Sequence, residues 1–184
     1  MTEPFNIALI VGSASARSRT AALARHVSER LNQQGFRVRI VQVRDLPAQP
    51  LLHADTQNEE IAAAAAVVEQ ADGVIVASPV YKAACSGLVK TFLDLLPQRA
   101  FQGKVVLPLL TGGTLAHVLA LDYGLRPVLQ SLEPRHVVSG LFLLDQWITI
   151  TKEQSAALTD EAAPRLESIV RGFVDAVRSN GEYR

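Results

Sequence analysis

The chain of 184 residues has a single cysteine, no net charge and no long apolar run, and each shortage removes a class of function. With only Cys85 an intramolecular disulfide is excluded, and the lack of any Cys/His ligand cluster leaves no basis for a structural zinc site, so no metal is expected. The lone thiol suits a reducing cytoplasm. Eighteen Lys and Arg balance eighteen Asp and Glu, so no global field gathers nucleic acid, an acidic polymer or a membrane surface. Any partner has to be recognised locally. The run around residues 61–68 is mostly alanine flanked by acids and is too short to span a bilayer. The start, Met1-Thr-Glu-Pro, has no basic lead and no small-residue cleavage site, so no signal peptide is expected. Linkers, repeats and low-complexity stretches are missing too, and the length is that of one ordinary domain, so a single domain over residues 1–184 is expected.

What the chain does contain is alternation. Apolar, β-branched runs alternate with segments of helical period, and each run ends in Gly, Ser, Pro or Thr, which predicts a parallel sheet with crossover helices. Five runs are expected as strands: residues 7–11, 37–43, 73–78, 104–111 and 137–144. The second, carrying Arg37 and Arg39, is expected at the sheet edge; the third, Val-Ile-Val-Ala without a break, is expected to be buried on both faces. Helices are predicted over residues 20–34, where Leu23, Val27 and Leu31 share a face and Gly35 ends the run, and over 58–70, capped by Asn58. Two more are predicted over 116–132 and 159–178, while Pro47 and Pro50 hold the stretch before Asn58 irregular. This pattern suits an α/β fold: a flavodoxin-like, doubly wound, five-stranded parallel sheet in the order 2-1-3-4-5, with ligands at the carboxyl ends where the order reverses.

That order brings three loops together. The first reads Gly12-Ser-Ala-Ser-Ala-Arg-Ser-Arg-Thr20, and its amides and four hydroxyls converge where a helix dipole favours an anion. It lacks the Lys of a Walker A loop and the Gly-x-Gly-x-x-Gly spacing of a dinucleotide fold, so a phosphate monoester held by Ser and Thr is what remains. A Ser-rich turn with an ordinary N-cap stands beside that reading on equal terms. The second loop, Ser78-Pro-Val-Tyr-Lys-Ala-Ala-Cys-Ser-Gly87, follows the most buried strand, and extended backbone after its Pro79 can meet the edge of a planar heterocycle. Taken singly, its Tyr81 and Lys82 fit a solvated rim equally well. In the third, Thr111-Gly-Gly-Thr114, two glycines permit close backbone approach, and helix-start amides can stabilise negative charge developing on a bound ring; a flexible turn is the plain alternative.

Together these segments, with Ser78 through Lys90, Leu93-Asp-Leu-Leu-Pro97, Gly103-Lys-Val-Val-Leu-Pro108 and Thr111-Gly-Gly-Thr-Leu-Ala-His117, resemble the NADPH-dependent FMN reductases, and among them the reductase components of bacterial alkanesulfonate monooxygenase systems. The resemblance implies oxidation of NADPH and release of reduced FMN to a separate flavin-dependent monooxygenase that desulfonates organosulfonates. It also implies that Ser13, Ser15, Arg17, Ser18, Arg19 and Thr20 surround the FMN phosphate. Pro79, Val80, Tyr81, Lys82 and Ala83 would line the isoalloxazine, and Gly112, Gly113 and Thr114 would face its pyrimidine side. The chain departs from the family pattern at Ser15, where many members carry Arg; the nearest arginine here is Arg17. In the alkanesulfonate-type members a tyrosine matching Tyr123 sits in a π-bulge at a subunit interface and goes with FMN used as a substrate, so Tyr123 is expected to modulate flavin exchange. From the residues alone it is equally a packing aromatic. No catalytic base is assigned, because hydride passes between the two cofactors.

Arg17, Arg19 and Arg99 are the candidates to meet the 2′-phosphate of NADPH. Leu141-Phe-Leu-Leu144, the surroundings of Trp147 and the Tyr123 segment suggest buried interfaces, hence a homodimer or homotetramer. Two rival functions share the first loop: an FMN-retaining quinone or azo reductase, and a one-electron flavodoxin, which the zero formal charge disfavours.

Overall fold

The computed structural model describes residues 3–181. Met1 and Thr2, the first residues of the stretch inspected for a leader, lie outside the described residues. Strand β1 (Asn6–Val11) has no polar side chain after Asn6 and is buried from Ile7 onward. It pairs in parallel with β2 (Arg37–Gln42) on one side and with β3 (Gly73–Tyr81) on the other. Beyond β3 lies β5 (Val105–Gly112), also parallel and buried throughout. The next position is shared by β6 (His136–Val137) and β7 (Leu141–Leu144). The order is therefore the expected 2-1-3-4-5, with the arginine-bearing strand at the edge and the fifth strand in two pieces.

Pro108 explains the division of the fifth strand. It lies inside β5, where it has no N–H to offer a neighbour. The partner strand skips one residue in register there: Val106 faces Val137, but Leu109 faces Leu141. Only glycine fits beside the proline, because a Cβ on Gly140 would stand 2.5 Å from the Pro108 carbonyl oxygen. Residues 138–140 thus form a bulge instead of continuing the strand.

Helix α1 (Arg19–Gln33) buries Leu23, Val27 and Leu31, as their spacing requires, and Gly35 follows it at φ +87°. Beside it on the same face runs α6 (Ala162–Gly181), whose Phe173 and Val177 press onto Gly73 so closely that a Cβ there would lie 2.8 Å from Phe173. The stretch with two prolines is not wholly irregular: it holds a short helix, α2 (Ala48–Leu52), with Pro50 in the first turn where a missing N–H costs nothing. Next come α3 (Glu59–Glu69), capped by Asn58, and α4 (Gly87–Leu95), capped by Ser86; the latter was not foreseen. Two hairpins were also missed. One pairs the end of β3 with β4 (Ala84–Cys85), and the other joins β8 (Ile148–Ile150) to β9 (Ala156–Leu158) and packs on α1.

The long helix expected over residues 116–132 is instead a 3-10 turn at Leu115–His117, a π-helical segment at Ala120–Leu125 and α5 (Arg126–Gln130). Two residues account for the change. Gly124 carries a low helix propensity, and a regular helix would drive the Pro127 ring into the carbonyl of Tyr123, a clash that the wider π turn relieves. The π segment includes Tyr123, as the resemblance implied. Among the described residues no helix is long and apolar enough to cross a membrane.

Candidate functional site

At the carboxyl edge of the sheet, the ends of β1, β3, β5 and β7 open into a cavity of about 220 Å³. Ser13, Ser15, Arg17, Ser18, Arg19 and Thr20 line it from the first loop. Pro79, Val80 and Tyr81 line it from β3, and Gly112 and Gly113 from β5. Three candidates stand outside that lining. Lys82 and Ala83 form the tip of the β3–β4 hairpin, and Thr114 caps the 3-10 turn by accepting from the Ala116 amide. Larger grooves lie between α1, β9 and α6 (about 460 Å³) and between α3 and α4 (about 660 Å³), but neither gathers hydroxyls at the start of a long helix.

The hydroxyls of the first loop differ in whether their hydrogens are already engaged. Ser15 donates to the Arg17 carbonyl, so its hydrogen is spent inside the loop. Ser13 and Ser18 act only as acceptors, from the amides of Ser15 and Ala21, and both keep a hydrogen to give. Thr20 and Thr111 share one hydrogen bond of 2.6 Å in a buried floor, which leaves one hydrogen between them. Since α1 begins at Arg19, the Arg19 and Thr20 amides have no carbonyl one turn earlier to accept them. Two buried hydroxyls and the positive end of a fifteen-residue helix therefore converge on one spot.

The loops are tied to each other. Ser86 donates to the Gly12 carbonyl and accepts from the Val89 amide, while its own amide donates to Ser78 Oγ. This network presses α4 against the first loop, and a Cβ on Gly12 would stand 2.4 Å from Val89 Cβ. Lys82 and Ala83, at φ +51° and +63°, make the two-residue turn with both central residues left-handed, a geometry that usually recruits Asn-Gly. Each non-glycine residue there costs about 1–2 kcal/mol, strain of the kind held at functional sites. Cys85, just after the turn, is half-buried; burial pushes its thiol above the ordinary value, against smaller lowering by its backbone hydrogen bond and by Lys90.

Two side chains at the site had no signal in the sequence. Arg44, in the turn after β2, donates to the Ser15 carbonyl and pairs with Asp45 at 3.3 Å, so it braces the first loop from outside. Asp145 follows β7 and lines the cavity beside Gly113. Neither lies within a motif, and each arrives through strand pairing. Arg19 lines the cavity with its Nε already donating to the Ile148 carbonyl at 3.3 Å. Arg99 pairs with Glu133 at the amino end of β5, the far edge of the sheet, and so leaves the set of residues that can meet a ligand here. Arg17 remains exposed at the rim.

Tyr123 is 79% exposed, and with Leu115, Val118 and Leu119 it forms an apolar strip beside the cavity. The strip touches the second loop, since a Cβ on Gly124 would lie 3.8 Å from Ala84 Cα. By contrast, Phe142, Leu143 and Leu144 are buried within the chain, and Trp147 is covered with Arg165 over its ring at 5.4 Å. Those two surfaces need no partner.

The donor set fits the FMN that the resemblance implies. Hydroxyls and helix-start amides suit its phosphate, and the open approach to the Gly113 backbone, where a Cβ would meet nothing nearer than 3.9 Å, suits a flat ring. Comparison with known proteins agrees. The chain is 42% identical to an FMN reductase (NADPH) of Pseudomonas putida, over 89% of this chain and 84% of that protein. It is 40% identical to an FMN reductase (NADPH) of Escherichia coli, over 91% and 87%. The apo form of an NADH:FMN oxidoreductase, EMOB, superposes with a TM-score of 0.83 at 43% identity, covering 92% of this chain and 88% of that one. A sequence model of the NADPH-dependent FMN reductases matches residues 5–149, and the chain belongs to that family of oxidoreductases, in which NADPH is oxidised and FMN reduced.

Proposed function

We propose that this chain uses FMN as a substrate, reducing it with NADPH and handing it to a separate flavin-dependent monooxygenase that desulfonates organosulfonates in the cytoplasm. The observation that carries this reading is a phosphate cradle whose buried donors are neutral. Arg17 and Arg19 line the cavity from exposed positions, Arg19 with its Nε on the Ile148 carbonyl, and Arg44 braces the outside of the loop, so the buried groups that meet the phosphate are Ser13, Ser18, the Thr20–Thr111 pair and amides. Hydrogen bonds from neutral groups are weaker than charge-assisted ones, which suits a flavin that must leave. In this reading Pro79, Val80 and Tyr81 take the isoalloxazine edge and Gly112 and Gly113 its pyrimidine side, while Lys82 and Ala83 form the hairpin turn after Tyr81 and Thr114 caps the turn after Gly113. NADPH stacks over the ring, with Arg17 at the rim for its 2′-phosphate. The protein contributes orientation and electrostatics, and hydride transfer belongs to the cofactors.

The exposed strip around Tyr123 supports a homodimer or homotetramer built on the π segment, which would place assembly next to flavin exchange. The deciding experiment is steady-state NADPH oxidation at varied FMN, read beside the flavin content of the purified protein. A nearly colourless protein whose turnover saturates with added FMN is expected. A yellow protein that keeps FMN and reduces quinones or azo dyes without added flavin would favour the flavin-retaining rival instead. Transfer is tested by coupling to a sulfonate monooxygenase and measuring sulfite.

A further inference from the structure

We propose that Asp145 selects against reduced FMN, lowering the affinity of the site for the product relative to the substrate; this rests on the FMN reading of the cavity. The position follows from strand register. Leu144 of β7 lies opposite Gly112 of β5, so the next residues, Asp145 and Gly113, leave the sheet side by side at the cavity wall. A Cβ on Gly113 would be 3.9 Å from Asp145 Oδ2. The Asp145 side chain has neither a hydrogen bond nor an ion pair with the other described residues. Arg17 and Arg19 line the same cavity, but neither forms an ion pair with it: Arg19 gives its Nε to the Ile148 carbonyl and Arg17 is exposed at the rim. A carboxylate without an ion pair thus stands beside the loop that faces the pyrimidine half of the flavin.

Two fields then act on that half of the ring. The amides of the Gly113–Thr114 loop can donate to that charge, although only a three-residue 3-10 turn follows them and adds little dipole. The carboxylate opposes it. Oxidised FMN carries no charge on its ring and is affected little, whereas reduced FMN gathers negative charge at N1 and O2 and feels the repulsion in full. A half-buried carboxylate shifts such an equilibrium by roughly tenfold at separations of several ångströms. The amides assist reduction, and Asp145 assists departure.

The test is equilibrium ultrafiltration of wild type, Asp145→Asn and Asp145→Glu with oxidised FMN, and anaerobically with reduced FMN. Asp145→Asn, which keeps the shape and removes the charge, is expected to bind reduced FMN roughly tenfold more tightly while its Kd for oxidised FMN moves by less than about twofold. Asp145→Glu keeps the charge and is expected to keep the wild-type ratio of the two constants. A ratio that Asp145→Asn leaves unchanged, with both forms tightening or weakening together, would make Asp145 an ordinary ligand and overturn the proposal. Wild-type protein that binds FMN in neither state would overturn the reading of the site itself, so the two failures are told apart.

Discussion

The loop after β1 and the segment after β5 both carry the chain from a buried strand into a helix at the same edge of the sheet, yet they are built in opposite ways. The first is locked: Gly12 lies against α4, Ser86 holds its carbonyl, and Arg44 holds the carbonyl of Ser15. Ser13 and Ser18 are buried there, each with a hydroxyl hydrogen left for the cavity. The second is left loose and greasy, with a 3-10 turn, a π segment and four apolar side chains in water. The contrast separates two tasks. An anion cradle must be rigid before its ligand arrives, because ordering it afterwards would subtract from binding. A surface that awaits another chain must expose what it will later bury.

The contrast breaks most visibly at its glycines. Gly12→Ala forces a Cβ to 2.4 Å from Val89, and we expect a loss of about 3 kcal/mol in urea unfolding, together with loss of FMN binding. The same change at Gly113 meets only Asp145 at 3.9 Å, and stability should stay within about 0.5 kcal/mol. Equal losses at the two positions would erase the distinction between locked and loose.

A smaller effect is expected at the floor beneath the first loop. Thr20→Val leaves the Thr111 hydroxyl buried without its partner, at about 2 kcal/mol, whereas the double change to Val at both positions should recover most of that cost. A double-mutant cycle by chemical denaturation measures this coupling. On the loose side, Tyr123→Ser removes a ring that is 79% exposed, so protomer stability should change by less than about 0.5 kcal/mol. Sedimentation velocity should nevertheless show a smaller assembly than wild type.

The smallest effect concerns His26, about two turns along α1. Burial lowers its pKa below the ordinary 6.5, with Arg30 adding to the shift and Glu29 and the Ala156 backbone opposing it. The unfolded chain therefore takes up this proton first. Stability from His26 is full above about pH 6.5 and falls as the pH drops through its folded value. Urea midpoints measured across that window should slope less in His26→Gln than in wild type.

Much of this architecture was legible beforehand. The strands after which the loops gather are runs that only a doubly buried sheet accommodates, and Leu23, Val27 and Leu31 declared their helix face by spacing alone. The hydroxyls before a helix were legible, whereas the π segment was signalled only by the family resemblance at Tyr123, the residues themselves reading as a regular helix. What escaped depended on partners distant in sequence. The break in the fifth strand needs Pro108 beside Gly140, and the β3–β4 turn places Lys82 and Ala83 where turn statistics predict glycine. Arg99 looked as eligible as Arg17 until the sheet put it at the wrong edge.

The sequence by itself determined the alternation, the edge strand and the hydroxyl-rich loop, because periodicity and local capping act within a few residues. Tertiary structure alone decided which hydrogens remain to be given, which arginines are already engaged, and that an unpaired Asp145 stands beside Gly113. Those properties are sums over neighbours that come from different strands, and no window along the chain contains them.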